Sequence, residues 1–394
     1  MIIKPKFRGY ICTTSHPVGC ACSVQEQIHF VKTQKMLSGP KRVLVIGAST
    51  GYGLASRIVA AFGSGASTLG VFLEKPAAGM NTATAGWYNT AAFERAATEA
   101  GYYAKSINGD AFSDSVKVRT IEQIKEDLGQ VDLVVYSIAA PRRTHPVSGE
   151  LFSSVIKPIG SSFTSKTVDM NSGEIVDVTL EPASQQEIAG TVAVMGGEDW
   201  ERWIHFLKDA GVLSPGAVTI SYSYIGPTIT YPIYKEGTIG RAKDHLYDAS
   251  RKIDKRLQDI KGRAFVAVNK ALVTQASAAI PVVPLYLMLL ARVMGQKGLD
   301  ENCVEQMYRL FATRLYGKEK LPAADYLIRI DDYEMQQDIQ QEVALLWEKV
   351  CSGDMDITSD FEEYRKEFFR LFGFGFSGVD YEQDVEENVS IPSI

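Results

Sequence analysis

Residues 42–62 read RVLVIGASTGYGLASRIVAAF, and this stretch decides the fold. The run Val43–Ile46 is continuously apolar and rich in β-branched residues, which is typical of a strand buried on both faces of a parallel sheet. Gly47, Gly51 and Gly53 follow with the spacing G-x3-G-x-G, and the apolar period then changes to that of a helix. Glycines let the backbone approach a ligand, and the free N–H groups of a helix N-terminus attract an anion. The stretch therefore predicts a pyrophosphate site between a strand and a helix.

An acidic residue, Glu74, lies about twenty residues beyond the last of these glycines and closes a second apolar run, 69–73. At this place a carboxylate accepts hydrogen bonds from both hydroxyls of an adenosine ribose and repels a 2′-phosphate. The sequence therefore predicts NADH rather than NADPH as the cofactor. The alternative is a glycine turn that only packs a helix on a sheet, and it is disfavoured because strand, helix and Glu74 all agree with the fingerprint.

Strand and helix patterns alternate from residue 42 to residue 141. Further strands are predicted at 104–107 and 131–141, separated by helices that glycines close. This alternation specifies an α/β fold with a Rossmann-type, doubly wound parallel sheet. Asp110 and Ala111 follow the first of these two strands, where an adenine ring would lie. The segment 137–140 ends the second strand and would leave room for the nicotinamide ribose.

Composition limits the class of protein. The chain has 394 residues, 45% of them hydrophobic and 22% charged, as expected of a globular protein. A net charge of −6 without a basic cluster argues against nucleic-acid binding. The N-terminus lacks a signal-peptide pattern, and the apolar stretch 276–290 contains two prolines and is too short to span a bilayer, so we expect no membrane contact and a cytoplasmic location.

The cysteines predict neither a disulfide framework nor a metal site. Their number is five, which is odd for a framework of pairs in a large chain. Cys20 and Cys22 lie near His16, but no second ligand pair with suitable spacing follows, and a four-ligand zinc site needs one. We therefore predict reduced thiols and no metal.

We predict one elaborated Rossmann domain over the whole chain, 1–394, with large insertions and extended N- and C-terminal segments. Its predicted parts are a first nucleotide-binding half (41–141), an insertion with an aromatic helix (142–216), a catalytic and substrate-pocket segment (217–300) and a helical C-terminal cover (301–394). Inside the insertion, Lys166–Val168 and Glu174–Val178 flank a turn and predict an antiparallel hairpin. The polar tail, 382–394, is expected to be loosely held.

The segment 220–246, ISYSYIGPTITYPIYKEGTIGRAKDHL, contains four tyrosines and two lysines. A hydride-transfer enzyme of this fold needs a hydroxyl beside the substrate carbonyl, where negative charge develops, and an ammonium beside the cofactor ribose. Tyr231 and Lys235 are four residues apart and would share one face of a helix, as in the common short-chain dehydrogenases. Pro232 and Gly237 disfavour a continuous helix through this pair.

Tyr234 and Lys243 form the competing pair, which we favour. On one helix, at about 100° per residue, their separation would put them on opposite faces. They can converge only if Tyr234 lies in the loop before the helix that carries Lys243. Gly237 supplies the break, and Thr238 is the predicted helix cap. Ordinary half-buried packing of the tyrosines is the alternative where the nucleotide fold is absent.

The chain resembles the FabV-type trans-2-enoyl reductases, which act on enoyl-acyl-carrier-protein and enoyl-coenzyme A. The resemblance runs nearly end to end and rests on GASTGYGLASR, GWYN, GDAFSD, MGGEDWERW, the Tyr-x8-Lys of Tyr234 and Lys243, VNKALVT and IPVVPLY. It implies a short-chain-dehydrogenase-like monomer that uses NADH to reduce the trans-2 double bond of enoyl thioesters. This reaction is the last step of a bacterial fatty-acid elongation cycle.

The resemblance also implies roles for residues. Hydride goes to C3 of the substrate, Tyr234 stabilises or protonates the enolate, Lys243 contacts the cofactor, and Tyr224 contacts the substrate. The residues implied to bind NADH are Gly47, Ala48, Ser49, Thr50, Gly51, Tyr52, Leu73, Glu74, Asp110, Ala111, Ile138, Ala139, Lys243, Leu272, Val273 and Thr274.

The acyl chain needs an apolar wall, and a helix starting near Pro281 is the candidate. Val283, Leu287 and Ala291 repeat every four residues along one face of it. Val283 and Leu287 are therefore predicted to bind the substrate, with an ordinary core helix as the equally weighted alternative.

Two other functions and one docking hypothesis stay open. A carbonyl reductase of the short-chain type would use Tyr231 and Lys235, and a nucleotide-binding scaffold would hold the cofactor without catalysis. Arg142, Arg143 and Lys157 are a hypothetical docking patch for the acidic carrier protein.

Overall fold

The computed structural model describes residues 1–278, 280–317 and 326–394. The N-terminal segment forms a small hairpin and a helix, which are β1 (Phe7–Arg8), β2 (Ile11–Cys12) and α1 (Pro17–Thr33). The nucleotide-binding half then alternates between strand and helix as β3 (Arg42–Ile46), α2 (Gly51–Ile58), β4 (Ser67–Phe72), α3 (Ala85–Glu99), β5 (Ala104–Asn108), α4 (Asp114–Asp127) and β6 (Val131–Tyr136). A π-helical turn, Val59–Gly63, extends α2.

The insertion contains two antiparallel hairpins and two helices. Its elements are β7 (Arg142–Thr144), β8 (Leu151–Ser153), β9 (Phe163–Val168), β10 (Ile175–Leu180), α5 (Gln185–Met195) and α6 (Glu198–Asp209). The pairing of β9 with β10 confirms the predicted hairpin. Helix α6 is the predicted aromatic helix, whereas α5 has no counterpart in the prediction.

The rest of the chain contributes three more strands and five helices to the described residues. They are β11 (Leu213–Ser223), α7 (Thr238–Leu257), β12 (Arg263–Val268), α8 (Val283–Gln296), α9 (Cys303–Arg309), β13 (Leu327–Arg329), α10 (Gln337–Ser352) and α11 (Thr358–Arg370). Residues 318–325 of the predicted C-terminal cover, and Ala279 of the predicted apolar stretch, lie outside the described residues.

Seven parallel strands form the central sheet in the order β13-β12-β11-β6-β3-β4-β5. The chain starts in the middle with β3, runs outward through β4 and β5, and returns to the other side of β3 at β6. This arrangement confirms the predicted doubly wound fold, and it places a topological switch point between β3 and β6. In such sheets a ligand binds in the crevice beyond the carboxyl ends of the strands at that point.

The sheet is buried on both faces, as the continuous apolar run in β3 requires. Val43 and Val45 belong to the core between the sheet and helices α1, α2, α3 and α9. Leu44 and Ile46 belong to the core on the opposite face, under α4, α6 and α7. Alternate side chains of a strand point to opposite faces, so each core takes every second residue.

A third core forms around α8, because α10 and α11 pack on that helix. Of the predicted C-terminal cover, helices α10 and α11 therefore cover α8, whereas α9 packs on α1 and α2 beside the sheet. Within the described ranges, no helix is both long enough and apolar enough to cross a membrane.

The polar tail is held by hydrogen bonds, contrary to the expectation that it is loose. Trp87 and Tyr88 on α3 donate to the carbonyls of Val389 and Glu387, at 2.7 and 2.8 Å. Near the last residue, the Ser393 hydroxyl donates to Glu94 Oε1 at 2.9 Å. The tail thus lies along α3 and the edge strand β5.

Candidate active site

The glycine turn sits at the topological switch point. Gly47 has φ +88°, and a Cβ built there would lie 2.0 Å from the carbonyl oxygen of Ser137, which follows β6. A side chain at position 47 would therefore push β3 and β6 apart. The Thr50 side chain makes no capping hydrogen bond at the start of α2, so the N–H groups of its first turn stay free for an anion. These features fit the pyrophosphate of NADH.

The predicted ribose contact brings Glu74 and Ser49 together. The Ser49 hydroxyl donates to Glu74 Oε1 at 2.6 Å, and burial raises the pKa of the Glu74 carboxyl. Asn108, at the end of β5, fixes the backbone of Glu74 through two hydrogen bonds of 3.0 Å. Gly86 on α3 was missed by sequence reasoning, although a Cβ there would lie 2.0 Å from Glu74 Oε1. The motif GWYN contained this signal.

Buried side chains hold the predicted adenine loop, Asp110–Ala111, in place by donating hydrogen bonds to its backbone. Asp110 Oδ1 accepts from the backbone N–H of Phe112 at 3.0 Å. The Ala111 carbonyl accepts from Lys117 Nζ at 2.9 Å and from Trp203 Nε1 at 3.0 Å. Lys117 is buried and pairs with Asp199 at 2.8 Å, and burial lowers its pKa. The aromatic helix α6 therefore supports the loop.

Two loops complete the cleft on the nicotinamide side. Leu272, Val273 and Thr274 lie in the loop after β12, where Ser277 Oγ donates to the Leu272 carbonyl at 2.5 Å. The Thr274 methyl group lies 4.0 Å from the position that a Cβ would take at Gly51. The loop after β12 thus faces the glycine turn.

The other loop follows β6 and holds Ile138 and Ala139. Ile138 Cδ1 lies 3.4 Å from the Cβ position at Gly47, and Ala139 is exposed. The Tyr52 hydroxyl donates to the Lys270 carbonyl at 2.7 Å, so α2 is tied to the loop after β12. Leu73 is also exposed, beside Glu74. The fold thus brings the predicted cofactor segments to the carboxyl ends of the strands.

Tyr234 lies outside the helix that carries Lys243, as predicted. A 3-10 turn, Thr228–Thr230, leads into irregular turns, and α7 begins only at Thr238. The prediction that Thr238 caps this helix is wrong. Gly237 is the N-cap residue, and the Thr238 hydroxyl donates to the Val155 carbonyl at 2.5 Å. The hydroxyl is occupied by the insertion and does not cap its own helix.

Lys243 is half-buried in the second turn of α7. Its Nζ donates to the carbonyl of Tyr222 at 3.3 Å, and burial lowers its pKa to about 8. No carboxylate of the described residues forms an ion pair with this ammonium. Lys235 of the rival pair differs, because its Nζ pairs with Asp244 at 3.2 Å and Tyr231 lies in the turns before α7.

Tyr234 and Tyr224 contact each other edge to face. Their ring centroids are 5.0 Å apart at an interplanar angle of 75°. Tyr234 is 8% exposed, and burial raises its pKa, so its phenol is neutral near pH 7 and can donate a hydrogen bond. The Tyr224 hydroxyl already donates to Glu334 Oε1 at 2.8 Å. Glu334 has no sequence motif, and sequence reasoning missed it.

The predicted acyl wall lies in the third core. Val283 and Leu287 on α8 are each 3% exposed, and Tyr224 packs against the same hydrophobic cluster. A separate cavity of about 260 Å³ lies between the segment after β11 and helix α10. Its described lining residues are Pro227, Thr228, Ile229, Tyr231, Met335, Gln340, Val343 and Ala344.

The docking hypothesis is wrong for one of its three residues. Arg143 is 2% exposed, and its Nη1 donates to the Ala193 carbonyl and to Glu198 at 2.7 and 2.9 Å. A guanidinium held in this way is not available as a surface contact.

His16, near Cys20 and Cys22, caps helix α1 by accepting from the Gly19 N–H at 3.2 Å. The described residues contain no group of three His, Cys, Asp or Glu side chains that could hold a metal ion.

Known families match almost the whole chain. The family model of the trans-2-enoyl-CoA reductase catalytic region matches residues 81–316, and that of the NAD(P)H binding domain of trans-2-enoyl-CoA reductase matches residues 2–79. The chain belongs to the trans-2-enoyl-CoA reductase family. A third family model, the enoyl reductase FAD binding domain, matches residues 324–385.

Relatives in this family are similar over their full length. The trans-2-enoyl-CoA reductase [NADH] of Ruminiclostridium cellulolyticum is 56% identical over 394 residues, covering 100% of both chains. The enoyl-[acyl-carrier-protein] reductase [NADH] of Cytophaga hutchinsonii is 56% identical over 395 residues, also covering 100% of both. Among solved structures, the Treponema denticola trans-2-enoyl-CoA reductase in complex with NAD has a TM-score of 0.92 at 46% identity, with 98% of each chain covered.

The residues of the third family match do not fit FAD. Their described part consists of β13, α10, α11 and turns, and it contains no strand–glycine–helix site for a pyrophosphate. Ile339, Val343 and Phe368 fill the inner faces of the two helices. Pockets for drug-sized ligands measure about 300–1,000 Å³, and FAD is larger than such ligands, whereas the cavity beside α10 has about 260 Å³. The glycine turn of the reductase fits NADH instead.

Proposed function

We propose that this chain uses NADH to reduce the trans-2 double bond of enoyl thioesters carried on coenzyme A or on acyl-carrier protein. The relatives described above are named for reactions on these two substrates. With acyl-carrier protein as the carrier, the reaction is the final step of the bacterial type II fatty-acid elongation cycle. The single observation that carries the proposal is that Tyr234 lies off α7, whose second turn bears Lys243, so that the two side chains can serve one site.

When bound, NADH supplies a hydride to C3 of the substrate. The electrons of the double bond then move toward the thioester oxygen, and an enolate forms on the substrate. The neutral Tyr234 hydroxyl donates a hydrogen bond to that oxygen where the charge develops, and a proton added at C2 completes the reduction. Lys243, which lacks a described carboxylate partner, would hold the cofactor ribose, and Glu74 would accept hydrogen bonds from the hydroxyls of the adenosine ribose.

The function is tested by separate Tyr234→Phe and Tyr231→Phe variants in an assay of NADH oxidation with crotonyl-coenzyme A. Loss of the Tyr234 hydroxyl removes a general acid, so we expect kcat to fall about 10²- to 10⁴-fold. The Tyr231 variant should turn over like the wild type. Loss in the Tyr231 variant alone would favour the carbonyl reductase. NADH binding by the wild type, without oxidation by any enoyl or carbonyl substrate, would favour the scaffold.

The acyl wall on α8 is part of the proposal. Val283 and Leu287 are apolar, belong to the third core against which Tyr224 packs, and lie on one helix. Leu287→Phe should then penalise long enoyl thioesters more than crotonyl thioesters, as measured by kcat/KM across chain lengths. Equal losses at all lengths would place the acyl chain elsewhere. The cytoplasmic location stays a prediction from the sequence, and the monomeric state stays one that only the family resemblance implies. Sedimentation of the purified chain measures the second.

A further inference from the structure

Glu334 is a buried carboxylate behind the two tyrosines. It lies in the turn between β13 and α10 and has no exposed surface. Its Oε1 accepts from the hydroxyls of Tyr224 and Tyr286 at 2.8 and 2.7 Å, and its Oε2 accepts from the Ala271 N–H at 2.7 Å. Burying a carboxylate is costly unless hydrogen bonds compensate. The three hydrogen bonds therefore compensate for the cost of burying the Glu334 carboxylate at this site.

The three donors come from three separate segments. Tyr224 follows β11, Tyr286 lies on α8, and Ala271 directly precedes the proposed cofactor segment at Leu272. A single side chain thus ties together the segments that follow two sheet strands, β11 and β12, and helix α8. The Lys270 ammonium forms its ion pair with Asp300 at 2.8 Å and not with Glu334, so the hydrogen bonds to the Glu334 carboxylate come from these donors.

The direction of the Tyr224 hydrogen bond separates the roles of the two tyrosines. A phenol has one hydrogen to donate. Tyr224 commits that hydrogen to Glu334, so its oxygen can only accept. The Tyr234 hydroxyl donates to none of the described side chains or carbonyls. Of the two rings that meet at 5.0 Å, only Tyr234 keeps a hydrogen for the thioester oxygen.

We propose that Glu334 is a positioning residue for the reduction. It accepts the hydrogen of the Tyr224 hydroxyl and so fixes the Tyr224 ring against Tyr234. Tyr234 is then the one phenol of the pair that can donate a hydrogen bond to the substrate. This inference rests on the proposed function. Without the carboxylate, the Tyr224 hydroxyl is free to compete for the thioester oxygen, and its ring no longer holds Tyr234 in place. A misplacement of about 1 Å costs on the order of 100-fold in rate.

A double-mutant cycle between Glu334 and Tyr224 tests this role. Glu334→Gln, Tyr224→Phe and the double variant are compared with the wild type by NADH oxidation with crotonyl-coenzyme A. We expect Glu334→Gln to lower kcat about tenfold or more, with a smaller change in the KM for crotonyl-coenzyme A. The double variant should be no slower than the slower single variant, because Glu334 acts through Tyr224.

Asp331→Asn is the matched control. Asp331 is a buried carboxylate in the same turn, and it is held by Arg329 at 2.7 Å without contact to either tyrosine. We expect this variant to lower the melting temperature as Glu334→Gln does, but to keep the wild-type kcat. If Glu334→Gln does not fold, Glu334→Asp takes its place in the cycle, because it keeps the charge and retracts it by one methylene group.

Two results would overturn the role of Glu334. One is that the losses of Glu334→Gln and Tyr224→Phe multiply in the double variant, which means that the two residues act independently. The other is that Asp331→Asn loses as much kcat as Glu334→Gln, which means that the loss reflects stability alone. A wild-type protein that does not oxidise NADH with any enoyl thioester would instead overturn the proposed function, so the two failures are distinguishable.

Discussion

The cofactor cleft and the tyrosine site are built in different ways. The cleft is formed mainly by backbone groups at the ends of adjacent parallel strands, for example where Gly47 lies against the carbonyl of Ser137. In the tyrosine site, side chains from distant parts of the chain meet in the interior. Tyr224 and Glu334 are separated by 110 positions, and Tyr286 and Glu334 by 48.

Because of this difference, substitutions should disrupt the two regions for different reasons. A site made of backbone depends on strand register and on space, so a single added Cβ can close it. A site made of buried side chains depends on hydrogen bonds whose loss leaves polar groups unpaired. The first should respond steeply to steric change, whereas the second should respond to changes in donors, acceptors and charge.

The largest effect is expected at Gly47, and Gly129 is its matched control, because it lies between α4 and β6 and outside the predicted cofactor segments. Both glycines have positive φ, +88° and +71°. A Cβ at Gly47 would lie 2.0 Å from the Ser137 carbonyl oxygen, whereas a Cβ at Gly129 meets nothing within 4 Å. Gly47→Ala should abolish measurable NADH binding, while Gly129→Ala should keep it and lower only the free energy of unfolding, by about 1–2 kcal/mol. Equal effects in NADH titration and thermal unfolding would contradict a cleft limited by space.

The sequence predicts most of the cleft because its signals are local. The apolar run of β3, the glycine spacing and the acidic residue at position 74 each lie within one strand–turn–helix unit, and parallel pairing brings such units together. The off-helix position of Tyr234 was predicted for the same reason. Pro232 and Gly237 act on the backbone within a few residues, and the structure confirms the break.

The rest depends on burial between distant segments, which leaves no periodic signal. Glu334 occupies a turn, and nothing in its neighbours along the chain distinguishes it from a solvated carboxylate. Thr238 has the residue type of a helix cap, but the insertion takes its hydroxyl. The tail is polar in composition, yet its carbonyls pair with Trp87 and Tyr88. In each case a tertiary partner overrides the local preference.

The next effect in size is a change of cofactor preference at Glu74. Replacing the carboxylate with an amide in Glu74→Gln removes the charge that repels a 2′-phosphate. The ratio of kcat/KM for NADPH to that for NADH should rise about tenfold or more, as expected where a repulsive group sets specificity. Ser49→Ala is the control, because it removes the 2.6 Å hydrogen bond but keeps the charge. A similar rise in both variants would show that geometry, not charge, selects the cofactor.

A smaller effect is expected from pH at Lys243. Burial lowers the pKa of its ammonium to about 8, so the group is charged below that pH and loses its charge as the pH rises through it. In the free enzyme, kcat/KM for NADH should therefore be highest below about pH 8 and should fall above it. Lys243→Arg keeps a positive charge throughout, so its profile should lack this fall. A fall that persists in the Arg variant would assign the titration to another group.

The smallest effect is expected at the tail, where a long-range contact supports the cofactor half. Ser393 Oγ donates to the buried Glu94 at 2.9 Å and accepts from the Ser106 N–H of β5 at 2.9 Å. Ser393→Ala leaves the Ser106 N–H unpaired and removes the hydroxyl donor of Glu94 Oε1, although the Ser393 N–H still donates to Glu94 Oε2 at 3.1 Å. The free energy of unfolding should therefore fall by about 1–2 kcal/mol. Ser390→Ala, at an exposed position of the same tail, is the control and should unfold like the wild type in urea. If both variants unfold alike, the Ser393 contact does not stabilise β5, and the cofactor cleft does not depend on this part of the tail.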